Sequence, residues 1–363
     1  MKFEALHIWI ISPEPWGVNF LSKHHYAFEL AKMGNFITFI ETEHTENLLK
    51  VAPEHKNIRL LGWKSGKGQR YLPNFISRIL QRRESKKIQR LTKHKPDLIW
   101  SFDNSRLYQL NALEPGAKCI HHVVDLNQQF QLKQASKTSD LGVCTTRFIQ
   151  ELMIPYQPNT IVMHHGCQLR QVAAWQPHHR NSTVMYLGNL MIPLLDRELV
   201  LQAIEDHPEV EFRFVGSFGA DNLNNRVPKD SVKFIKQLME FSNVVLTGAV
   251  SQDHLDRELS KADLFIIAYK TEEAEQVANP HKLMELLSTG RAILSNELDS
   301  FKDQTDLISM APNGEEWLVQ LSHLLRRIPE INSPEVAHNR QKFALNHTYA
   351  KQIARIEKAL NDA

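Results

Sequence analysis

At 363 residues the chain exceeds what one hydrophobic core usually serves, so two domains are expected. Its 42% hydrophobic and 23% charged residues suit a globular protein, and a net charge of only +2 gives no chain-wide argument for a nucleic-acid partner. No apolar run approaches the roughly 20 residues that span a bilayer. Cys119, Cys144 and Cys167 lack metal-ligand spacing and fit a reducing compartment.

The first half alternates strand and helix patterns. Residues 5–11 form a continuous apolar run, as a strand covered on both faces requires. The run is too short for a signal-peptide core and has no small-residue cleavage site. A shaped loop, S-P-E-P-W-G at 12–17, leads to a helix from about Ser22 that ends at Gly34. Strands follow at 36–40, 97–101, 118–122 and 141–144. This rhythm predicts a parallel, doubly wound sheet. Residues 172–183 lose periodicity and gain polar residues and a proline. We read domains at 1–172 and 184–336, a linker at 173–183, and a terminal helical segment at 337–363. The sequons at Asn181 and Asn346 matter only in a secreted chain.

Residues 64–95 carry eleven Lys or Arg against one acid, Glu84, with Asp97 just beyond. Leu72, Phe75, Ile76, Ile79, Leu80, Ile88 and Leu91 recur there at helical spacing. An apolar stripe beside a basic face suits a helix on an anionic membrane surface, and equally a core helix with a solvated cationic face. No aromatic platform points to nucleic acid. The glycines at 62–68 do not have phosphate-loop spacing.

Residues 279–295 read N-P-H-K-L-M-E-L-L-S-T-G-R-A-I-L-S. Pro280 suits a first helical turn and Gly290 a helix end. Lys282 and Glu285 would then sit in the first two turns, beside backbone N–H groups suited to a diphosphate. Before this segment come V-M-Y-L-G-N at 184–189, Asp196, F-R-F-V-G at 212–216, N-V-V-L-T-G-A-V at 243–250 and A-D-L-F-I-I-A-Y at 262–269. In this order they resemble the donor domain of retaining GT-B glycosyltransferases of the family-four type.

The resemblance implies an α/β fold of two Rossmann-like, doubly wound domains facing a central cleft, with the C-terminal helix crossing back to the N-terminal domain. It implies a transferase using a UDP-, GDP- or similar nucleotide-sugar, with no further cofactor and no metal, acting on a glycan or lipid-linked acceptor in cell-surface polysaccharide synthesis. The setting would be cytoplasmic, with peripheral attachment at the inner face of the cell membrane through 64–95. A sugar-nucleotide 2-epimerase and a non-catalytic nucleotide- or glycan-binding protein share the architecture.

On the donor side the resemblance places Gly188, Asn189, Arg197, Gly216, Ser217, Tyr269, Asn279, Lys282 and Glu285, with Lys282 on the phosphates and Glu285 on the ribose hydroxyls. On the acceptor side it places Trp16, Gly17, Lys23, Asp103 and Asn104. His121 or His122, with Asp125, would stand at the transferred sugar. Two features depart from the pattern: Val277 stands where many members carry a second Glu, and residues 189–195 lack the usual Arg and Lys.

Overall fold

The structure, a computed structural model, describes residues 1–17, 20–41, 48–63, 72–103, 109–126, 132–177, 181–219, 229–270, 280 and 282–363. The chain forms two compact units, Met1–Gly166 with Tyr349–Ala363, and Cys167–Thr348. It changes unit at Gly166–Cys167, upstream of the segment read as a linker, and returns at Tyr349 rather than at 337.

The first unit runs β1 His7–Ile11, α1 Ser22–Lys32, β2 Phe36–Glu41, β3 Leu48–Val51, β4 Ile58–Gly62, α2 Asn74–Thr92, β5 Leu98–Ser101, α3 Leu110–Leu113, β6 Lys118–Val123, α4 Leu132–Lys137, β7 Leu141–Cys144, α5 Arg147–Met153 and β8 Thr160–Val162. Its sheet has the order β3-β4-β2-β1-β5-β6-β7-β8. All neighbours are parallel except the edge strand β3. Ile8 to Ile11, Trp9 included, are buried because helices cover both faces. The strand order reverses between β1 and β5, so the loops after these strands flank the crevice where such sheets bind ligands.

The second unit runs β9 Thr183–Leu187, α6 Arg197–Asp206, β10 Glu211–Val215, α7 Lys229–Glu240, β11 Val244–Gly248, α8 Gln252–Leu259, β12 Leu264–Ile267, α9 Leu283–Ser288, β13 Ala292–Asn296, β14 Ser309–Ala311, α10 Gly314–Leu325, α11 Ile328–Ile331 and α12 Pro334–Leu345. Its parallel sheet, β11-β10-β9-β12-β13-β14, reverses between β9 and β12. Trp317 of α10 is fully buried in this unit's core.

The last helix, α13 Tyr349–Asp362, belongs to the first unit. Tyr349, Ile353, Ile356 and Leu360 recur at helical spacing and share a core with Tyr26, Leu30 and Trp100. Gly166 is required here, since a Cβ would lie 2.3 Å from the Tyr349 ring. Gln352 accepts from the Tyr26 hydroxyl and donates to the His164 carbonyl at 2.7 Å.

In α2 the apolar stripe is mostly not inward: Ile88 is buried, and Ile76 and Leu80 are half-buried. The buried line is Ser77, Gln81, Ser85, Ile88 and Thr92. Gln81 donates to Ser77 Oγ at 2.9 Å and accepts from the Gln109 N–H at 2.8 Å. Phe75 and Ile79 are 67% and 51% exposed, and Leu72 and Leu91 are exposed too. The polar line is inward because its hydrogen bonds are satisfied there. Residues 64–71 of the basic segment lie outside the described residues.

Candidate functional site

In the second unit the sheet's reversal point is built of bare backbone. Gly188 follows β9 and Gly216 follows β10; the Gly188 N–H donates to the Val215 carbonyl of β10 and the Gly216 N–H to the Gly248 carbonyl of β11, both at 3.0 Å. Gly216 has φ +148°, and a Cβ there would lie 1.9 Å from the Gly188 carbonyl oxygen. Only glycine permits this approach. Asn189 is exposed beside it, its side chain accepting from the Met191 N–H at 2.8 Å. The Ser217 carbonyl accepts from the Leu190 N–H at 3.0 Å.

Across the reversal point, Tyr269 follows β12. Its N–H donates to Asn296 Oδ1 at 2.7 Å, and it bridges to Leu195. Burial pushes its phenol up to about 12. Tyr186 is raised by burial first and by Tyr269 second, which puts the two phenols within electrostatic reach. Arg197 is committed elsewhere in this unit: it donates to the Ile192 carbonyl at 3.0 Å and Ser231 Oγ at 2.9 Å, and lies over the Phe234 ring. These contacts make it a clamp between the 190s loop and α7.

The element expected to run from Pro280 to Gly290 is shorter, the six-residue α9. A helix this short offers little macrodipole for a diphosphate. Asn279, Val277 and the loop 271–278 lie outside the described residues. Lys282 stands at the N-cap, 39% exposed, and its Nζ is 3.7 Å from Glu285 Oε2. Arg170 meets the same oxygen at 2.8 Å, with both side chains almost fully buried. Both contacts fall on Oε2.

Sequence reasoning missed Arg170. It also faces Asp256 at 3.6 Å, and its N–H donates to Ser288 Oγ at 3.1 Å. Ser288 Oγ in turn donates to the Glu285 carbonyl, and the Cys167 thiol to the Met284 carbonyl. Residues 167–171 are thus stitched along α9. Burial, with Glu285 nearby, pushes the Cys167 thiol up to about 12, so it is inert.

In the first unit the strand ends are crowded instead. After β1, the Trp16 ring packs edge-on against Phe39 at 5.0 Å and donates to Glu54 at 3.0 Å, so it closes the edge of the core. Gly17 is exposed, and a Cβ there would lie 3.9 Å from the Pro15 carbonyl oxygen, an ordinary contact. Lys23 is buried and ion-paired with Glu14. His24 accepts from the Leu21 N–H through Nδ1 and donates to the Pro15 carbonyl through Nε2, which requires a neutral ring. Burial lowers it to about 4. Asp103 is fully buried after β5, its N–H donating to Ser101 Oγ at 3.3 Å, while Asn104 lies outside the described residues.

Strand alternation separates the histidine pair. His121 points to α4, 3.0 Å from Ser136 Oγ, and burial lowers it to about 3. His122 faces the other way, stacked on Phe102 at 4.7 Å. Its Nδ1 has no hydrogen-bond partner among the described residues. Burial first, then the nearby His165, His121 and Lys23, hold its pKa well below the ordinary value. His165 Nδ1 is 2.9 Å from Ser22 Oγ. Asp125 is exposed beyond the strand end. Among the described residues no group of three or more His, Cys, Asp or Glu could hold a metal ion.

No family model matches the chain, and no curated protein matches it. Solved structures do. Sucrose-phosphate synthase from Thermosynechococcus elongatus aligns with a TM-score of 0.70 at 12% identity, over 98% of this chain and 99% of its own. HepE from Anabaena, in complex with UDP and glucose, aligns at 0.67 and 15% identity over 97% and 99%. The lipopolysaccharide outer core galactosyltransferase WaaB aligns at 0.65 and 13% identity over 98% and 99%. At these identities the likeness establishes architecture: the chain has the GT-B fold, with two parallel-sheet Rossmann-like units.

Proposed function

We propose that the protein is a glycosyltransferase that moves a sugar from a nucleoside-diphosphate sugar to a glycan or lipid-linked acceptor in cell-surface polysaccharide synthesis. The observation that carries this reading is the meeting of Lys282 and Arg170 on one oxygen of the buried Glu285. Arg170 fixes the carboxylate, Oε1 accepts the nucleotide's ribose hydroxyls, and the half-exposed Lys282 faces the diphosphate. Gly188 and Gly216 supply backbone for close approach; Asn189, Ser217 and Tyr269 border the nucleotide. The UDP and glucose bound to HepE support this donor class.

The first unit takes the acceptor. Lys23, Asp103 and His122 are its candidate groups, with Asp125 at the strand end; Gly17 stands at the loop's exposed turn. Trp16, His24 and His121 hold the shape. The chemistry is front-face displacement with retention. The acceptor hydroxyl oxygen bonds to the anomeric carbon as the carbon–oxygen bond to the diphosphate breaks, and the departing phosphate takes the hydroxyl proton. No resident metal or cofactor enters this step; the charge is met by Lys282.

No helix among the described residues is long and apolar enough to cross a membrane. The excess of Lys and Arg over 64–95 supports peripheral attachment to an anionic membrane at its cytoplasmic face, where lipid-linked acceptors lie. Incubation with a panel of nucleotide-sugars tests the activity. Slow release of nucleoside diphosphate with unchanged sugar is expected. Isomerised sugar would replace the reading with an epimerase, and binding without turnover with a non-catalytic binder.

A further inference from the structure

Helix α2 presents an outward face that no element among the described residues covers. At about 100° per residue, Phe75, Ile79, Arg82, Lys86 and Arg90 fall within roughly 80° of one another along about 23 Å of helix, and Lys93 follows just past its end. All six side chains are exposed. The opposite line is the buried, hydrogen-bonded Ser77, Gln81, Ser85 and Thr92. Two large apolar groups therefore stand in water at one end of a face whose remainder is cationic, while polar groups take the inside.

Between 74 and 95 the sequence has eight Lys or Arg and a single acid, Glu84. At the C-terminal end the basic side chains surround a cavity of about 310 Å³, lined by Lys86, Gln89, Arg90, Lys93, His94 and Lys95. Lys93 adopts a left-handed conformation, φ +63°, and residues 93–95 line this shallow, open pocket beside α2. Multiple N–H donors around one hollow suit a phosphate group.

We infer that this face of α2 docks on an anionic lipid bilayer, with Phe75 and Ile79 entering the acyl boundary and the basic cavity taking a phosphate-bearing headgroup. The inference rests on the proposed membrane attachment and not on the transfer chemistry. The charge pattern selects the occupant. A phosphate-rich surface complements Arg82, Lys86, Arg90 and Lys93, and only a surface with an apolar layer beneath its phosphates also takes the protruding Phe75 and Ile79. A nucleic acid would leave both in water. The helix lies along its partner like an interfacial helix, which needs no groove.

The full-length protein is sedimented with vesicles of phosphatidylcholine alone and with 30% phosphatidylglycerol. The wild type is expected to bind only the anionic vesicles, less at high salt. Lys86→Glu/Arg90→Glu and Phe75→Ser/Ile79→Ser should each weaken binding at least tenfold with unchanged thermal unfolding, because these side chains are exposed. Phe75→Trp adds a seventh tryptophan at an exposed site, and its emission minus that of the wild type should shift to the blue with anionic vesicles and not with soluble glycerol phosphate. If the wild type binds and the double variants bind equally, α2 is not the docking face, though attachment stands. No wild-type binding to anionic vesicles overturns both.

Discussion

The strand ends of the two units solve opposite problems. In the second unit, Gly188 and Gly216 bring backbone against backbone, and Arg170, Lys282, Glu285 and Asp256 form one ion-paired cluster. In the first, Lys23, His24, His122, His165 and Asp103 are buried and crowded, several already holding their neighbours. A surface of exposed backbone and one anchored carboxylate suits a ligand part common to many molecules, such as a nucleoside diphosphate. A crowded set of individual side chains suits a ligand that differs from enzyme to enzyme. The contrast fits the proposed division of donor recognition to Cys167–Thr348 and acceptor choice to Met1–Gly166.

The sharpest way to break the comparison is steric. Gly216→Val must displace the Gly188 carbonyl, and we expect a loss of about 4 kcal/mol or more in stability, read by denaturant unfolding. Wild-type stability would mean that the two strand ends are not held together as described. Next, Arg170→Met leaves the Glu285 carboxylate buried beside the partly exposed Lys282 alone, which should cost about 3–5 kcal/mol. Arg170→Met combined with Glu285→Leu removes both charges and should restore most of that stability without restoring nucleotide binding. Recovery of both would make the pair purely architectural.

The first unit should instead respond to acid. Burial holds His24 at about 4 and His121 at about 3 in the folded state, whereas the unfolded chain protonates near 6.5. The unfolded state therefore binds more protons below that value. Stability is fully present above pH 6.5 and falls by about 1.4 kcal/mol per pH unit for each histidine, down to its folded pKa. A Tm that does not change between pH 6.5 and 4.5 would contradict the buried neutral rings. His24→Gln, which keeps a donor and an acceptor, should flatten the slope.

Much of the framework was legible before any coordinates. Apolar runs at 5–11, 97–101, 184–187 and 264–267 became central strands, because a strand covered on both faces has no other composition. Their order placed Gly188, Gly216 and Tyr269 at strand ends. The missing parts were matters of direction and distance. Periodicity groups Phe75 with Ile79 and Ser77 with Gln81, but does not say which pair faces the core. Adjacency joins His121 to His122, yet the pleat sends them to opposite faces. Arg170 and Glu285 are 115 residues apart, and no local pattern pairs them. The helix at 280–290 was over-read, since Pro280 and Gly290 mark possible ends and not hydrogen bonds between them.

Donor binding as proposed depends on the Glu285 carboxylate, and calorimetric titration of wild type and Glu285→Gln with nucleoside diphosphates probes that dependence. The substitution keeps the shape and an acceptor oxygen while removing the charge. The account predicts that the wild type binds at least one nucleoside diphosphate and that the variant binds it about 1–3 kcal/mol more weakly, the loss expected for charge-assisted hydrogen bonds to the ribose. Equal affinity in the two proteins would contradict it, leaving Glu285 as the buried partner of Arg170 and nothing more.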